Sequence, residues 1–378
     1  MELALNEEQR MIRDAALEVL AALSDSAAVR RAMENDGGFD GALWARLGAE
    51  LGWCGIGLPE AEGGLGLGRL EQALLLEALG EHLACVPLFA TAVLAGEALV
   101  QAADPAARRE WLPALAAGEQ RATLAWAGLQ QPGAATGVEA RRDGASLSLT
   151  GRVDYVLDGA GADWLLVPAR IDGDLALCRV AADAPGVSRQ ALTTLDPTRT
   201  VASLALEAAP AECLGEGAGV AEGLARARDL ARLALAAEQL GVAQRCLELS
   251  VAYTGERLQF GRPIAAFQAI KHRCAEMMVR VEEARSAVYG AAATITEEPA
   301  AAPREAAMAK SVADEAAFFC AQEAIQLHGG VGFTWEYDPH LYFKRAQANG
   351  AWLGRCDALL AELADTLLGP AEGEPPCR

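Results

Sequence analysis

The spacing of apolar residues divides the chain into a helical region, a β region and a second helical region. Apolar positions recur at helical spacing in EEQRMIRDAALEVLAAL and LEQALLLEALGEHLA, which predicts an N-terminal helical domain over residues 1–120. Residues 121–212 contain short, partly alternating apolar runs separated by Gly, Asp and Pro turns, which are typical of a compact antiparallel β domain.

Long helical patterns return over residues 220–368, and their lengths favour a C-terminal four-helix bundle whose last helix ends near residue 368. The Gly- and Pro-containing tail, residues 369–378, is expected to be disordered. The predicted fold class is therefore mostly α with a small antiparallel β domain between two helical domains.

The charge balance argues against nucleic acid as a partner. Asp and Glu total 52 against 32 Lys and Arg, which gives a net charge of -20. A surface this acidic repels phosphate backbones. No apolar run of the ~18–20 residues needed to cross a bilayer stands clear of charges, so we expect no membrane partner either.

The cysteines and histidines predict a reduced protein without a metal site. The nine cysteines are scattered singly with no CxxC pair, and the first residues, MELALNEEQRMIRD, lack the apolar core of a signal peptide. These features indicate the cytoplasm. The four histidines lack partners at ligand spacing.

Three motifs carry a resemblance to a known family. They are ERLQFGRPIAAFQAIKHRCAEM at 256–277, QLHGGVGFTWEYDPHLYFKRA at 326–346 and the weaker PEAEGGLGLG at 59–68. In this order and at this separation, they resemble the signatures of acyl-CoA dehydrogenases, and the resemblance covers essentially the whole chain.

The resemblance implies an FAD cofactor that lies extended between subunits, an acyl-CoA substrate, and either a homo-oligomer or a heteromer with a related subunit. Arg257 would supply a bidentate phosphate donor, and glycines would let backbone N–H groups approach phosphate. Alternatively, Arg257 is a solvated cation and the glycines only end a helix. The cofactor contacts that the resemblance assigns are Arg257, Phe260, Gln268, Gln326, Gly329, Gly330 and, over the flavin ring, Tyr155.

The expected catalytic base is absent from its usual position. Family members remove the α-proton of the thioester with a carboxylate while the β-hydrogen leaves as hydride to the flavin. Counted without gaps from GGVGF, the family's Glu falls on Leu353, and its alternative Glu falls on Ala231. Two flavin-facing motifs have also changed: the segment 129–136 matches its counterpart only loosely, and Leu157 lacks the usual hydroxyl.

Glu238 is the substitute base that the sequence favours. It lies in LARLALAAEQLGVA, two turns beyond Ala231 on the same helical face. In such apolar surroundings we expect its pKa to be raised, as a base near neutrality requires. Alternatively, it is an interface residue or a buried Glu neutralised by Arg232 or Arg245. Asp357, one turn past position 353, is the second candidate base.

Two functions are therefore compatible with the sequence. The chain is an FAD-dependent acyl-CoA dehydrogenase with a relocated base, or it is a structural partner that completes the flavin site of another subunit. The missing Glu favours the second, whereas Arg257 and Gln326 fit both. A more remote option is a flavin oxidase that uses an aspartate base.

Overall fold

The computed structural model of the protein describes residues 4–35, 37–129, 136–144 and 146–369. Two sets of helices flank a mainly antiparallel sheet, so the predicted fold class is confirmed. In the described part of the chain, the helices before the sheet are α1 (Glu7–Leu23), α2 (Ser26–Glu34), α3 (Gly41–Ala45), α4 (Arg69–Glu81), α5 (Gly96–Ala102) and α6 (Pro105–Ala116).

The sheet is mainly antiparallel but includes two parallel pairings. Its strands are β1 (Ala122–Leu124), β2 (Val138–Asp143), β3 (Ser146–Leu157), β4 (Trp164–Ile171), β5 (Asp174–Ala181), β6 (Val187–Ala191) and β7 (Val201–Glu216). β1 and β2 each pair with β4 in parallel, whereas the other neighbours run antiparallel. Parallel neighbours require long connections, and short-range turn signals do not reveal them.

The C-terminal helices are α7 (Ala218–Glu256), α8 (Gln268–Glu297), α9 (Ala302–His328), α10 (Pro339–Ala351) and α11 (Cys356–Leu368). A hairpin of β8 (Leu258–Gln259) and β9 (Arg262–Pro263) joins α7 to α8. The single last helix predicted from the sequence is wrong, because α10 and α11 are separate. The helix is interrupted between them at Leu353 and Gly354, whose φ values are 61° and 104°. Positive φ values are incompatible with a right-handed α-helix.

The two helical regions share one hydrophobic core, and the sheet has a second core of its own. α4 and α7 approach so closely that a Cβ at Gly80 would collide with the carbonyl oxygen of Glu238, and one at Gly241 with that of Glu77. The absence of side chains at these glycines therefore sets the spacing between the N-terminal helices and the bundle.

Two predictions lie partly outside the described residues. These are the disordered tail, of which only Gly369 is described, and the loosely matching segment 129–136, of which 130–135 are not. Within the described residues, no helix is both long and apolar enough to cross a bilayer.

Candidate active site

A cleft of about 370 Å³ lies between the sheet and α10. Its lining is mostly apolar, and its volume is typical of small-molecule sites. Tyr155, predicted to cover a flavin ring, lines it and is 63% exposed. The full set of lining residues is Tyr155, Thr194, Asp196, Arg199, Val201, Ala348, Ala351 and Trp352.

Glu238 lies at the centre of a buried charge cluster next to this cleft. Nη2 of Arg199 donates to both carboxylate oxygens, at 2.7 and 2.6 Å, and Nη1 of Arg345 donates to Oε1 at 2.6 Å. Nδ2 of Asn349 donates to the same oxygen at 3.4 Å, and Arg345 also pairs with Asp196 at 2.7 Å. The cluster therefore ties α7 to α10 and to the loop before β7.

The prediction of a raised pKa for Glu238 is wrong. Burial does raise the pKa of this carboxyl, but Arg199 and Arg345 outweigh burial and lower the pKa to about 2. Glu238 is also absent from the lining of the cleft. A carboxylate so acidic, with both oxygens accepting from guanidinium groups, is a poor proton acceptor near neutrality.

The arginines that the sequence suggested as partners of Glu238 bind elsewhere. Arg232 donates to the carbonyl oxygen of Leu353 at 2.9 Å and to the carboxylate of Glu362 at 2.9 and 3.0 Å. Arg245 pairs with Glu248 at 2.9 Å. Helical spacing put both arginines near Glu238 along α7, but they leave the helix in other directions.

The remaining candidate positions bring no carboxylate to the cleft. Leu353 is 1% exposed and packs in the main core. Asp357 lies in the first turn of α11, where its side chain is 79% exposed and pairs with Arg355 at 3.5 Å. Because water solvates an exposed carboxylate, Asp357 lacks the desolvation that a base for a C–H proton requires.

The predicted cofactor contacts other than Tyr155 lie together at one end of the bundle. Tyr253, in the last turn of α7, stacks on His328, the last residue of α9, with ring centroids 4.3 Å apart. This stacking holds the hairpin after α7 beside the end of α9. The predicted contacts exposed at this end are Arg257, Phe260, Gln268, Gln326, Gly329 and Gly330.

The glycines at this end of the bundle lack a side chain for different reasons. A Cβ at Gly332 would press on the carbonyl oxygen of Ile325, so packing within the chain explains that glycine. At Gly329 and Gly330, no described atom lies within 4 Å of the Cβ position. Gly329 and Gly330 therefore leave backbone open to another molecule, and the φ of 63° at Gly329 favours glycine.

Comparisons with known proteins decide the family. The family model for the acyl-CoA dehydrogenase N-terminal domain matches residues 6–119, and the model for the acyl-CoA dehydrogenase C-terminal domain matches residues 215–368. The acyl-CoA dehydrogenase IpdE2 of Mycobacterium tuberculosis is 37% identical over 347 residues, which cover 92% of this chain and 93% of IpdE2. This chain belongs to the acyl-CoA dehydrogenase family.

Solved structures agree with this assignment. A chain of the ChsE4-ChsE5 complex from Mycobacterium tuberculosis is 32% identical with a TM-score of 0.88, and the match covers 98% of this chain and 100% of that chain. Butyryl-CoA dehydrogenase from Megasphaera elsdenii is 25% identical with a TM-score of 0.88, over 97% and 100% of the two chains.

Membership confirms the resemblance and the predicted class, an FAD-dependent oxidoreductase that acts on acyl-CoA. The residues at the bundle end of this acyl-CoA dehydrogenase fit a phosphate-bearing cofactor. Arg257 is exposed and makes no ion pair with any described residue, and the backbone at Gly329 and Gly330 is open. The structure does not bring these residues together with Tyr155 or Glu238.

Sequence reasoning missed the residues that define the environment of Glu238. A lone carboxylate on an apolar helix demands partners, and Arg345 and Asn349, four residues apart, share one face of α10. Those signals pointed to a polar cluster without naming its members. Arg199 and Arg345 lie 39 and 107 residues from Glu238, so only the tertiary structure pairs them.

A second cleft of this acyl-CoA dehydrogenase, about 490 Å³, contains a carboxyl with a raised pKa. Burial, followed by the charges of Glu248 and Glu77, raises the pKa of Glu81 to about 8. A raised pKa is common among catalytic bases. This cleft, however, shares no lining residue with the one that contains Tyr155, so we interpret the shift as the result of burial and neighbouring carboxylates and not as the mark of a catalytic base.

The Glu81→Gln variant is expected to be more stable than the wild type at alkaline pH. The folded-state pKa of about 8 exceeds the ordinary value of 4.5, so the stability that Glu81 contributes below pH 4.5 is lost as pH rises through about 8. Gln does not titrate. In denaturant unfolding near pH 9, the free energy of unfolding of the variant should exceed that of the wild type by at least about 1 kcal/mol. Near pH 4 the two proteins should have the same free energy of unfolding.

Glu276→Gln is the matched control, since Glu276 is exposed on α8 and pairs with Arg273 at the surface. Its stability should follow the wild type at both pH values. If Glu81→Gln and the wild type respond to pH in the same way, the raised pKa of Glu81 is refuted.

Proposed function

We propose that this chain is the base-lacking subunit of a heteromeric acyl-CoA dehydrogenase and completes the FAD site of a related partner chain. The complex would carry out α,β-dehydrogenation of an acyl-CoA thioester. The observation that carries the proposal is the state of Glu238, whose oxygens are held by Arg199 and Arg345 while Leu353 occupies the usual base position.

The reaction needs a desolvated base for the α-proton. When bound, FAD accepts the β-hydride. Among the described residues that line the cleft, the one carboxylate is Asp196. Its Oδ2 accepts from Arg345 at 2.7 Å and its Oδ1 from the backbone N–H of Thr198 at 2.9 Å. Asp196 is therefore engaged like Glu238, which supports a base supplied by the partner chain.

The distance between the two parts of the chain supports a shared flavin site. Arg257 follows Glu238 by 19 residues, and all but the last step lie in α7, so the two are roughly 28 Å apart. The bundle end therefore lies far from the chain's own cleft and is free to meet a neighbour. Phe260, Phe333 and Trp335, exposed by 91%, 66% and 62%, add the aromatic surface that subunit contacts favour.

The relatives support the same arrangement. The ChsE4-ChsE5 complex consists of two differently named chains, and the chain matched there is 32% identical to this one. A heteromer of that kind needs only one chain of each pair to carry the base, which suits a subunit with leucine at position 353.

The alternative is an active homo-oligomer with a relocated base. The retained bundle end, with Arg257 and Gln326 exposed, is compatible with it. It requires either Glu238 to leave its arginines or Asp357 to leave the surface during turnover. The test is whether the chain, purified alone, reduces ferrocenium with an acyl-CoA, or whether reduction needs the partner chain.

Arg257→Ala is expected to weaken FAD binding by the complex roughly 10–100-fold. A hydrogen bond to a charged group contributes about 1.5–3 kcal/mol, and Arg257 makes no competing ion pair with a described residue. Flavin titration of the apo complex measures the change, and sedimentation should show looser subunit association.

Arg273→Ala is the control for this variant, because Arg273 is also exposed but pairs with Glu276 at 3.2 Å on the surface of α8. It should bind FAD like the wild type. An unchanged FAD affinity in Arg257→Ala would remove Arg257 from the cofactor site.

A further inference from the structure

Two cysteines outside the flavin site face each other across the sheet. Cys178 on β5 and Cys213 on β7 are direct partners in an antiparallel register, beside a β-bulge. Directly opposed residues have Cα atoms about 4.5 or 5.5 Å apart. A disulfide spans Cα separations of about 4.4–6.8 Å, so these cysteines can be bridged without moving the strands.

The two thiols are also unequal. Sγ of Cys213 donates to the carbonyl oxygen of Gly215 at 3.6 Å. Cys178 is fully buried, whereas Cys213 is partly exposed. An oxidant from solvent therefore meets Cys213 first, with Cys178 waiting beside it.

The interaction between the two thiols favours the same order. The neighbouring Cys178 thiol lowers the pKa of the Cys213 thiol to about 7, and Cys213 in turn raises the pKa of Cys178. The nearby charges oppose each other: Glu216 raises and Arg142 lowers the pKa of Cys213, and these two side chains pair at 2.7 Å. A thiol whose pKa is about 7 is substantially ionised at neutral pH, and the thiolate is the nucleophilic form.

We propose that Cys213 and Cys178 form a peroxide-sensitive dithiol in which Cys213 reacts first and Cys178 closes a disulfide. The Cys213 thiolate attacks hydrogen peroxide, so that an S–O bond forms, the O–O bond breaks, and the departing hydroxide takes a proton to become water. The sulfur of Cys178 then displaces hydroxide from the Cys213 sulfenic acid, and its thiol proton completes the second water. Two thiols are oxidised by two electrons, and one peroxide is reduced to two waters.

The other described cysteines lack this combination. Cys54, Cys85, Cys246 and Cys320 are buried. Of the partly exposed ones, Cys274 lies beside Thr254 and Cys356 beside Glu315, and neither faces a second cysteine across a strand pair. The bridge would close a ring around residues 179–212, the segment that contains Asp196 and Arg199 of the cleft. Oxidation is therefore expected to stiffen one wall of the cleft and to raise the melting temperature.

The test exposes the FAD-loaded protein, or the complex where one forms, to hydrogen peroxide and maps its peptides without reduction. The expected result is a Cys178–Cys213 crosslink that dithiothreitol reverses, while Cys274 forms none. In Cys178→Ser, Cys213 should accumulate a dimedone-reactive sulfenic acid. In Cys213→Ser, Cys178 should stay reduced.

In the peroxide experiment, the proposal would be overturned if both thiols stayed reduced while Cys274 oxidised, or if Cys213 stopped at the sulfenic acid in the wild type. A second measurement needs no variant and therefore still tests the proposal if Cys178→Ser does not fold. It compares the rates at which iodoacetamide labels Cys213 and Cys274 in the wild type. Cys213 should be labelled faster near neutral pH. Slower labelling of Cys213 than of Cys274 would also overturn it.

Discussion

Glu238→Gln is expected to lower the free energy of unfolding by about 3–5 kcal/mol, because it leaves Arg199 without a carboxylate partner and Arg345 with Asp196 alone. Glu238 and Arg345 are each 2% exposed at the side chain, and Arg199 is 12% exposed, so water cannot replace the lost carboxylate. Denaturant unfolding measures the change. The substitution is nearly isosteric, so the loss would report charge rather than packing.

The control is Glu222→Gln on the same helix, where Glu222 is 80% exposed and pairs with Arg226 at 3.8 Å. Exposed pairs contribute about 0–1 kcal/mol, so this variant should unfold almost like the wild type. The opposite pattern, an unchanged stability of Glu238→Gln with turnover lost, would restore Glu238 as the catalytic base.

The same cluster has a pH signature. The folded-state pKa of Glu238, about 2, lies below the ordinary 4.5, so its contribution to stability is complete above pH 4.5 and is lost as pH falls through about 2. The wild type should therefore lose stability over this acid range more steeply than Glu238→Gln. Equal slopes for the two proteins would contradict the lowered pKa.

Turnover by the chain alone is expected to be at least about 10²-fold below that of the heteromeric complex. General acid–base catalysis contributes about 10²–10⁴-fold, and the described part of this chain offers the cleft no carboxylate free of an arginine or solvent. The partner should be a related acyl-CoA dehydrogenase that carries glutamate where this chain has Leu353. Ferrocenium reduction with the same acyl-CoA measures both rates.

Rates per bound flavin separate a missing base from a missing cofactor. If the chain alone binds FAD but does not turn over, the base is what it lacks. If it binds no FAD, Arg257 and its neighbours serve only the partner's site. Turnover by the chain alone, per flavin, equal to that of the complex would instead support the active homo-oligomer, and Glu238→Gln and Asp357→Asn would then locate its base.

The sequence alone predicted the order of helices and strands and the residues at the bundle end. Helical and strand patterns are local, because they record which face of an element is buried. Arg257 and Gln326 belong to continuous motifs, so the family resemblance predicted that they lie near each other. In the structure, the stacking of Tyr253 on His328 holds their two segments together. The absence of a carboxylate at Leu353 was also readable by counting.

Only the tertiary structure decided what surrounds Glu238. Its apolar helix predicted burial correctly, but the sign of a pKa shift depends on which charges arrive from elsewhere. Arg199 comes from a loop of the sheet and Arg345 from another helix, so no pattern along α7 contains them. The register of β5 against β7 likewise determines that Cys178 lies opposite Cys213. Local periodicity reports burial, whereas the partners of a buried group are set by contacts distant in sequence.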